Sequence, residues 1–582
     1  MGKFLLGLLT GAIVMALLLV IGAFAVAALR TRPAAIADGS TLVLHLNGDA
    51  PEKPPVDVSI PFIQEHPPVT VENIWAMLRH AAADSRIKAV VFEPSGASVG
   101  WAKMQEIHAD LEQFRKSGKP LIAYLKAPST RDYYLASACS KIYMSPIDVL
   151  DLKGIALELM YFKNTLDKLG VHVDVEHVGK YKDYGDMFTR TSMSPETNEV
   201  ISSLADDIYG DLVNTIARDR HKDAAAIRAT IDNGPFLAKQ ARASGLVDDL
   251  RYEDEVFGEV KTLLHQTELK KTSEREYVNS PDSAGSGADR IAYVVGEGTI
   301  TRGDPESSGD TGLESEAFDT MLGRVGNDKN IKGVIVRIDS GGGEAEASDE
   351  MWRAMNELRK RKPVVISMSD AAASGGYFMA MTGDTIVAYP ATETGSIGVV
   401  FGKPNLHGLY DKLGITKDFV SRGRFALIES DYSSLTEPER KKLVDGIDSE
   451  YEDFVGKVAA ARRKPASVIE PLAQGRVWLG DQAKANGLVD ELGGLDRAIE
   501  LVKAKAGIAA GNKVSLVLYP PKRSLFDVLF RSNSETEAEA RTGAMLSGLG
   551  LEPVRAAWRN ASLRTWMRGG MLRMMPFSIQ IR

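Results

Sequence analysis

The chain has 582 residues, of which 44% are hydrophobic and 25% charged, and its net charge at pH 7 is -8. This length predicts two large domains or several smaller ones, the composition excludes wholesale disorder, and the lack of basic runs argues against nucleic acid as a partner. The single cysteine, Cys139, excludes an intrachain disulfide and a cysteine-based zinc site.

The N-terminus carries a long apolar segment. No residue from Phe4 to Leu29 is charged. The run is longer than the roughly 7–15 apolar residues of a signal peptide and reaches the roughly 20 that cross a bilayer. We predict a transmembrane anchor and linker over residues 1–40; the alternative is a long signal peptide cut between Ala23 and Ala28. Basic residues flank both ends of the run, so charge does not decide its orientation.

The rest of the chain repeats itself. The sequence IKAVVF at Ile87–Phe92 matches IKGVIV at Ile331–Val336, and similar matches recur at nearly the same offset along both halves. We therefore predict two tandem copies of one domain, at residues 41–265 and 291–508. The segment between them, residues 266–290, is rich in Ser, Gly, Asp and Pro and is predicted to be a linker.

Each copy alternates short β-branched runs with longer amphipathic segments. In the second copy KGVIVRID predicts a buried strand, SDEMWRAMNELRKR a helix and PVVISMSD the next strand. A strand, a helix and a strand joined by a right-handed crossover are typical of a parallel sheet covered by helices. The predicted fold class is therefore α/β.

A C-terminal extension over residues 509–582 has no clear counterpart in the first copy. It begins with a strand-like run, Val514–Tyr519, and continues into WRNASLRTWMRGGMLRMM, where apolar and basic residues follow helical spacing. We interpret the second run as a helix that packs on the domain. The alternative is contact with a membrane surface.

Two glycine-rich loops follow strands of the second copy, DSGGG at Asp339–Gly343 and AASGGYFMA at Ala372–Ala380. Parallel sheets place their functional sites beyond the carboxyl ends of strands. Ser374 stands where a helix should begin, and the unpaired N–H groups there would stabilise an oxyanion formed when its hydroxyl attacks a carbonyl. The alternative is that Ser374 is only a helix N-cap.

The first copy has lost both loops. Thr130–Asp132 replace the serine and its two glycines, and Ala97–Val99 replace the three glycines of the other loop. The fold therefore does not require these residues, which favours a catalytic role for them in the second copy.

A serine nucleophile needs a general base. A lysine can be that base if burial keeps its amine neutral. Lys182, in GKYKDYGD of the first copy, aligns with Ala426 of the second. One copy thus keeps a lysine and the other a serine, which suggests one composite site. His407, the single histidine of the second copy, and Lys180 stay as alternative bases.

Three motifs resemble the signal peptide peptidase A (protease IV) family in its long, duplicated form. They are ASGGY at Ala373–Tyr377, TGSIGV at Thr394–Val399 and GKYKD at Gly179–Asp183. They occur in the order and in the copies that the family would have. The resemblance implies a ClpP/crotonase-like fold in each copy. It also implies that Ser374 is the nucleophile, that Lys182 is the general base, and that the hydroxyl of Ser396 orients the lysine.

The same resemblance implies an oxyanion hole built from backbone N–H groups of Gly375 and of Gly343 or Gly342. The family commonly has proline at the position of Gly341. Glycine there removes the fixed φ of proline and so bears on the rigidity of the loop.

The function implied by the resemblance is a serine endopeptidase that degrades cleaved signal peptides and other apolar peptides through an acyl-enzyme. The resemblance also implies an inner-membrane anchor with the catalytic part in the periplasm, contact with membrane lipid, a homotetramer, and no metal or organic cofactor. Two alternatives are a crotonase-like acyl-CoA enzyme, with Glu344 as acid or base, and a non-catalytic membrane scaffold.

Overall fold

The computed structural model describes residues 36–53, 68–280, 287–302, 312–521, 571–575 and 580–581, together with residues 11 and 15. Apart from two isolated positions, the predicted anchor at residues 4–29 lies outside the described residues. Among the helices described, none combines the length and the apolar character that a bilayer crossing needs.

The first copy begins with a strand and then alternates helices with strands. Its strands are β1 (Ser40–Asn47), β2 (Ile87–Ser95), β3 (Leu121–Leu125), β4 (Lys141–Met144), β5 (Val149–Leu150), β6 (Leu157–Glu158), β7 (His172–Val178), β8 (Phe236–Leu237), β9 (Asp249–Leu250) and β10 (Lys271–Ser273). Its helices are α1 (Val71–Ala83), α2 (Trp101–Arg115), α3 (Thr130–Ser137), α4 (Lys163–Leu169), α5 (Asp186–Thr189), α6 (Pro195–Asp219), α7 (Ala224–Ile231), α8 (Ala238–Ala243), α9 (Glu253–Leu263) and α10 (Glu274–Val278).

The second copy and the C-terminal extension follow the same alternation. Their strands are β11 (Asp289–Glu297), β12 (Thr299–Thr301), β13 (Gly312–Glu314), β14 (Ile331–Ser340), β15 (Gly342–Glu344), β16 (Val364–Ala373), β17 (Thr385–Ala388), β18 (Glu393–Gly395), β19 (Val399–Asn405), β20 (Val477–Leu479), β21 (Glu491–Leu492), β22 (Val514–Tyr519), β23 (Met571–Met574) and β24 (Gln580–Ile581). The helices are α11 (Ser315–Asn327), α12 (Ala345–Arg359), α13 (Gly375–Met379), α14 (His407–Leu413), α15 (Glu437–Arg462), α16 (Ala466–Ile469), α17 (Gly480–Asn486) and α18 (Leu495–Lys505), with a 3₁₀ turn at Glu470–Leu472.

The two copies build matching parallel sheets. The first runs in the order β10-β1-β2-β3-β4-β9, and the second contains the equivalent order β22-β11-β14-β16-β17-β21, with β18 and β20 attached to β16. Helices cover both faces, so that β14 is buried along almost its whole length. The predicted α/β class and the duplication are confirmed.

The first copy extends beyond the predicted boundary at residue 265. Strand β10 pairs with β1, just as β22 pairs with β11. Helix α10 follows and buries Tyr277 against the first core. The first part of the segment predicted as a linker is therefore structured. Its strand, the polar triplet KTS, carries no hydrophobic pattern that a sequence could reveal.

A third sheet joins the copies, in the order β13-β12-β15-β23-β19-β7. Strand β7 of the first copy pairs antiparallel with β19 of the second, from Val178 opposite Val399 to His172 opposite Asn405. Because β7 leads directly into the segment that carries Lys182, this pairing fixes that segment of the first copy against the second.

A buried ion cluster also lies between the copies. The guanidinium of Arg337 on β14 donates to Glu52 at 2.8 Å and to Glu106 at 2.5 Å, and all three side chains are at most 2% exposed. Burial alone would raise the pKa of Glu52, but the positive charges of Arg337 and Lys103 outweigh burial and hold that pKa below its usual value. The negative charges of both buried carboxylates are therefore balanced by the guanidinium of Arg337.

We expect Arg337→Met to lower the free energy of unfolding by about 3–5 kcal/mol, because it leaves two carboxylates buried and unpaired. Urea unfolding of the full chain at pH 7 measures the change. The matched control is Lys441→Met, which removes an exposed ion pair to Asp445 and should cost under about 1 kcal/mol. Equal effects of the two substitutions would contradict a stabilising role for the cluster.

Candidate active site

Ser374 occupies a strained turn between strand β16 and helix α13. Its backbone angles are φ 54° and ψ -114°, a conformation that costs about 1–3 kcal/mol for a residue with a side chain. The side chain is fully buried and makes no capping hydrogen bond. Ser374 thus stands at the N-cap position of α13, but its hydroxyl does not cap the helix.

The two residues after Ser374 must be glycine for steric reasons. A Cβ on Gly375 would lie 2.5 Å from the hydroxyl oxygen of Ser348, and a Cβ on Gly376 would lie 2.5 Å from the carbonyl oxygen of Ser340. Both distances are shorter than any ordinary contact. The serine turn thus packs directly against the other glycine-rich loop.

The structure brings Lys182, Ser374 and Ser396 together within one chain. The Lys182 Nζ lies 2.7 Å from the Ser374 Oγ, 2.9 Å from the Ser396 Oγ and 3.0 Å from the Ser396 carbonyl oxygen. All three side chains are fully buried. The amine is therefore held between the two serines by at least three polar contacts.

Glycines also shape the path by which the lysine reaches the serine. A Cβ on Gly475 would lie 2.5 Å from the Lys182 backbone nitrogen, and a Cβ on Gly398 would lie 3.1 Å from its Cδ. The Tyr181 N–H donates to the Gln474 carbonyl oxygen at 2.8 Å. Backbone atoms of the second copy thus pack closely around the segment that carries Lys182. They leave little space beyond that of the lysine side chain itself.

The surroundings favour the neutral form of the amine. Burial is the main cause that lowers the pKa of Lys182 well below its usual value, and the positive charge of Arg573 lowers it further. Asp183 opposes this shift, but burial raises the pKa of that carboxyl to about 6. A neutral amine has the lone pair that can accept a proton from Ser374.

The glycine loop after β14 faces this pair. Gly342 has φ 102°, and a Cβ there would lie 2.0 Å from the Arg573 carbonyl oxygen. A Cβ on Gly375 would lie 3.1 Å from the same oxygen. The Gly342 N–H points to the Ser340 hydroxyl at 3.2 Å, whereas Gly343 stands opposite Arg573 in the strand ladder. A peptide carbonyl therefore already lies against both predicted oxyanion loops.

The alternative bases and acids are engaged elsewhere. His407 is about half exposed and lies near Asp411. Lys180 is on the surface, with its amine over the ring of Tyr181. Glu344 accepts a hydrogen bond from the Arg302 backbone N–H at 2.7 Å. The Ser374 hydroxyl instead receives the Lys182 contact described above.

The strand that supplies this carbonyl was predicted as part of a helix. Met571–Met574 forms β23, which lies between β15 and β19 and runs antiparallel to both. The helical interpretation is therefore wrong for these residues, because partners distant in sequence impose an extended conformation. The placement of Arg573 between Leu572 and Met574 was the one local signal compatible with a strand.

Comparisons with known proteins identify the family of the chain. The model of peptidase family S49 matches residues 113–267 and 356–509. A protein named "Serine protease SPPA, chloroplastic" from Arabidopsis thaliana is 36% identical over 79% of this chain and 70% of its own. "Protease 4" from Salmonella typhi is 34% identical over 74% of this chain and 72% of its own. "Putative signal peptide peptidase SppA" from Enterococcus faecium is 35% identical over 32% of this chain and 54% of its own.

Among solved structures, a ClpP1 mutant from Listeria monocytogenes is similar over 36% of this chain and 94% of that chain. The sequence identity is 15% and the TM-score 0.24. A TM-score of this size carries no argument about the fold, so the ClpP/crotonase-like type stays a prediction.

We expect Lys182→Met to leave stability at pH 7 equal to that of the wild type or higher. A lysine kept neutral in the folded state holds a proton only in the unfolded chain, where it titrates near about 10.4. Wild-type stability should therefore rise, relative to the variant, as the pH increases from 7 towards 10. Urea unfolding at several pH values measures the difference, and a difference that does not change with pH would contradict a neutral lysine.

Proposed function

This chain belongs to peptidase family S49 and is a serine protease, and on that premise we propose that it is an endopeptidase whose catalytic pair is Ser374 and Lys182. Family membership confirms the resemblance drawn from the motifs. The observation that carries the proposal is the 2.7 Å contact between the Lys182 amine and the Ser374 hydroxyl in a fully buried setting. The peptidase family also argues against an acyl-CoA enzyme and a non-catalytic scaffold.

In this mechanism Ser374 attacks the carbonyl carbon of a peptide bond while its proton passes to the neutral amine of Lys182. Ser396 holds the amine in place through its hydroxyl and its carbonyl oxygen. The ammonium then gives its proton to the leaving amine, and an acyl-enzyme results. Water then attacks the acyl carbon as its proton passes to Lys182, the bond from that carbon to the Ser374 Oγ breaks, and Lys182 returns the proton to Ser374 as the acid leaves.

The developing oxyanion needs N–H donors. The N–H groups of Gly375, at the start of α13, and of Gly343, on β15, are the donors we assign. Support comes from the Arg573 carbonyl oxygen, which lies against both loops. A substrate carbonyl oxygen in the same place would lie close to Gly342 of the first loop and to Gly375 of the second.

We assign peptides in extended conformation as substrates, bound as an added strand between β15 and β19. The strand β23 of this chain lies there and pairs with both neighbours. Cleaved signal peptides and other apolar peptides are the class that we propose. The printed name of the Enterococcus faecium relative, a putative signal peptide peptidase, supports this choice.

We also propose that residues 4–29 anchor the chain in the inner membrane, in contact with lipid, with the catalytic part in the periplasm. The support is the uncharged length of the segment. An anchor keeps the protease close to apolar peptides released in the same membrane, which raises their effective concentration.

We further propose that the chain forms a homotetramer. A difference between the two copies of the repeat supports this assembly. Strand β7 is covered by the second copy, whereas its counterpart in that copy, residues 416–422, forms no strand. Nearby apolar side chains are exposed there, including Val420 at 90% and Phe419 at 45%. A neighbouring chain that covers this segment head to tail would generate a closed ring.

The catalytic pair is tested with the full chain in detergent and a short apolar peptide ester. We expect Ser374→Ala and Lys182→Met each to lower kcat by about 1,000-fold or more, and the double variant to fall no further, because the residues act as a unit. Lys180→Met is the matched control and should keep wild-type rates. If Lys182→Met stays within tenfold of wild type, the lysine is not the base.

The assembly is tested by light scattering after gel filtration. We expect the wild type to exceed the 63.1 kDa mass of one chain, and Val420→Asp to shift the mass towards that value because it buries a carboxylate in an apolar contact. Val468→Asp changes another exposed valine, outside the segment, and should leave the mass unchanged. An unchanged mass in both variants would contradict the assigned interface.

A further inference from the structure

The strand β23 directs its side chains in two opposite directions. Leu572 and Met574 are buried in a small apolar cluster with Tyr184, Phe188 and Val400. Arg573 lies between them in sequence and therefore points to the other face of the strand. That face meets the second copy.

Arg573 fills a pocket in the second copy and is only 1% exposed. Its guanidinium carbon lies 3.6 Å from the centroid of the Phe378 ring and 5.6 Å from that of Phe454. One nitrogen donates to the Ala345 carbonyl oxygen at 3.0 Å, and another donates to Glu450. The pocket thus offers aromatic faces for the stem and oxygen acceptors for the head group.

The charge around the pocket is mainly negative. Burial lowers the pKa of Arg573, and the carboxylates of Glu450, Asp453, Asp349 and Glu346 oppose that shift by stabilising the charged guanidinium. One lysine, Lys457, lies beside the same aromatic rings and pairs with two of these carboxylates. Without Arg573 the pocket would hold more negative than positive charge. It is therefore suited to a cation rather than to a purely apolar side chain.

The position of this pocket relates it to the bond that would be cleaved. The Arg573 carbonyl oxygen lies against Gly342 and Gly375, at the place assigned to the oxyanion. The side chain in the pocket belongs to the same residue as that carbonyl. A peptide bound in this register would place in the pocket the side chain that immediately precedes the cleaved bond.

We propose that this pocket selects an arginine or lysine on the amino side of the cleaved bond, and that Arg573 occupies it as a substrate-like residue of the chain's own C-terminal segment. The inference rests on the proposed function and narrows its substrate class. Glu450 recognises the positive charge of the substrate side chain, and the Phe378 ring packs against that side chain. The segment Met571–Met574 competes with substrate for the groove.

The test compares peptides that differ at one position, which carries arginine, its neutral isostere citrulline, or glutamate. With the wild-type chain we expect kcat/KM for the arginine peptide to exceed that for citrulline by about tenfold or more, as for a hydrogen bond to a charged group. The glutamate peptide should be the poorest. Mass spectrometry of the products checks that cleavage follows the varied residue.

Two variants test which residues determine the selectivity. Glu450→Gln should remove most of the preference for arginine over citrulline, measured as the ratio of their kcat/KM values. Glu452→Gln alters an exposed neighbour on the same helix and should change neither rate. Arg573→Met should raise kcat/KM for the arginine peptide several-fold, because it weakens the competing occupant.

The outcomes separate this inference from the catalytic proposal. Cleavage of all three peptides at similar rates, with no effect of Glu450→Gln, would overturn the pocket assignment while the Ser374 and Lys182 mechanism stands. A lower rate in Arg573→Met would overturn the competing role of Met571–Met574. If no peptide is cleaved, the proposed function fails, and the selectivity of the pocket fails with it.

Discussion

The antiparallel pairing of β7 with β19 is the contact on which the site depends. It is the one long ladder between the two copies within the described residues, and Lys182 follows β7 after only a few residues. Since Ser396 precedes β19, the same ladder places the lysine opposite the serine that holds it. A shift of one residue in register would turn every side chain of β7 to the other face. The buried cluster around Arg337 fixes the two copies from another side.

The division of labour between the copies has a physical basis. In the first copy Asp132 stands where the second has Gly376, and its carboxylate accepts the backbone N–H groups of Gly96 and Ala97 at 3.2 Å and 3.0 Å. It also forms a capping box with Ser129 at the start of α3. The Asp132 carboxylate thus ties the start of helix α3 to the loop that replaces the glycine-rich loop of the second copy. The first copy is stabilised at this point, and the lysine is its contribution to the proposed catalytic pair.

The sequence could predict the α/β fold, the duplication and the residues that meet in the site, because these depend on local pattern and on comparison between the copies. The absence of Lys182 from one copy and of Ser374 from the other was visible without a structure. The strand Met571–Met574 was not, because its conformation depends on partners at least 170 residues away along the chain. Nor could pattern identify Arg337 as the centre of a buried ion cluster, since charge pairing leaves no periodic signal.

Electrostatics connects the pocket of Arg573 to Lys182. Burial is the main cause that lowers the pKa of Lys182, and the positive charge of Arg573 adds to it, while the carboxylates around the pocket stabilise the charged guanidinium. A substrate cation in the same pocket would act on the lysine in the same direction. Binding would then favour the neutral amine at the moment when Ser374 needs a proton acceptor. In the proposed mechanism, burial of Lys182 therefore favours catalysis. The neutral amine that burial favours is the form that accepts the proton from Ser374.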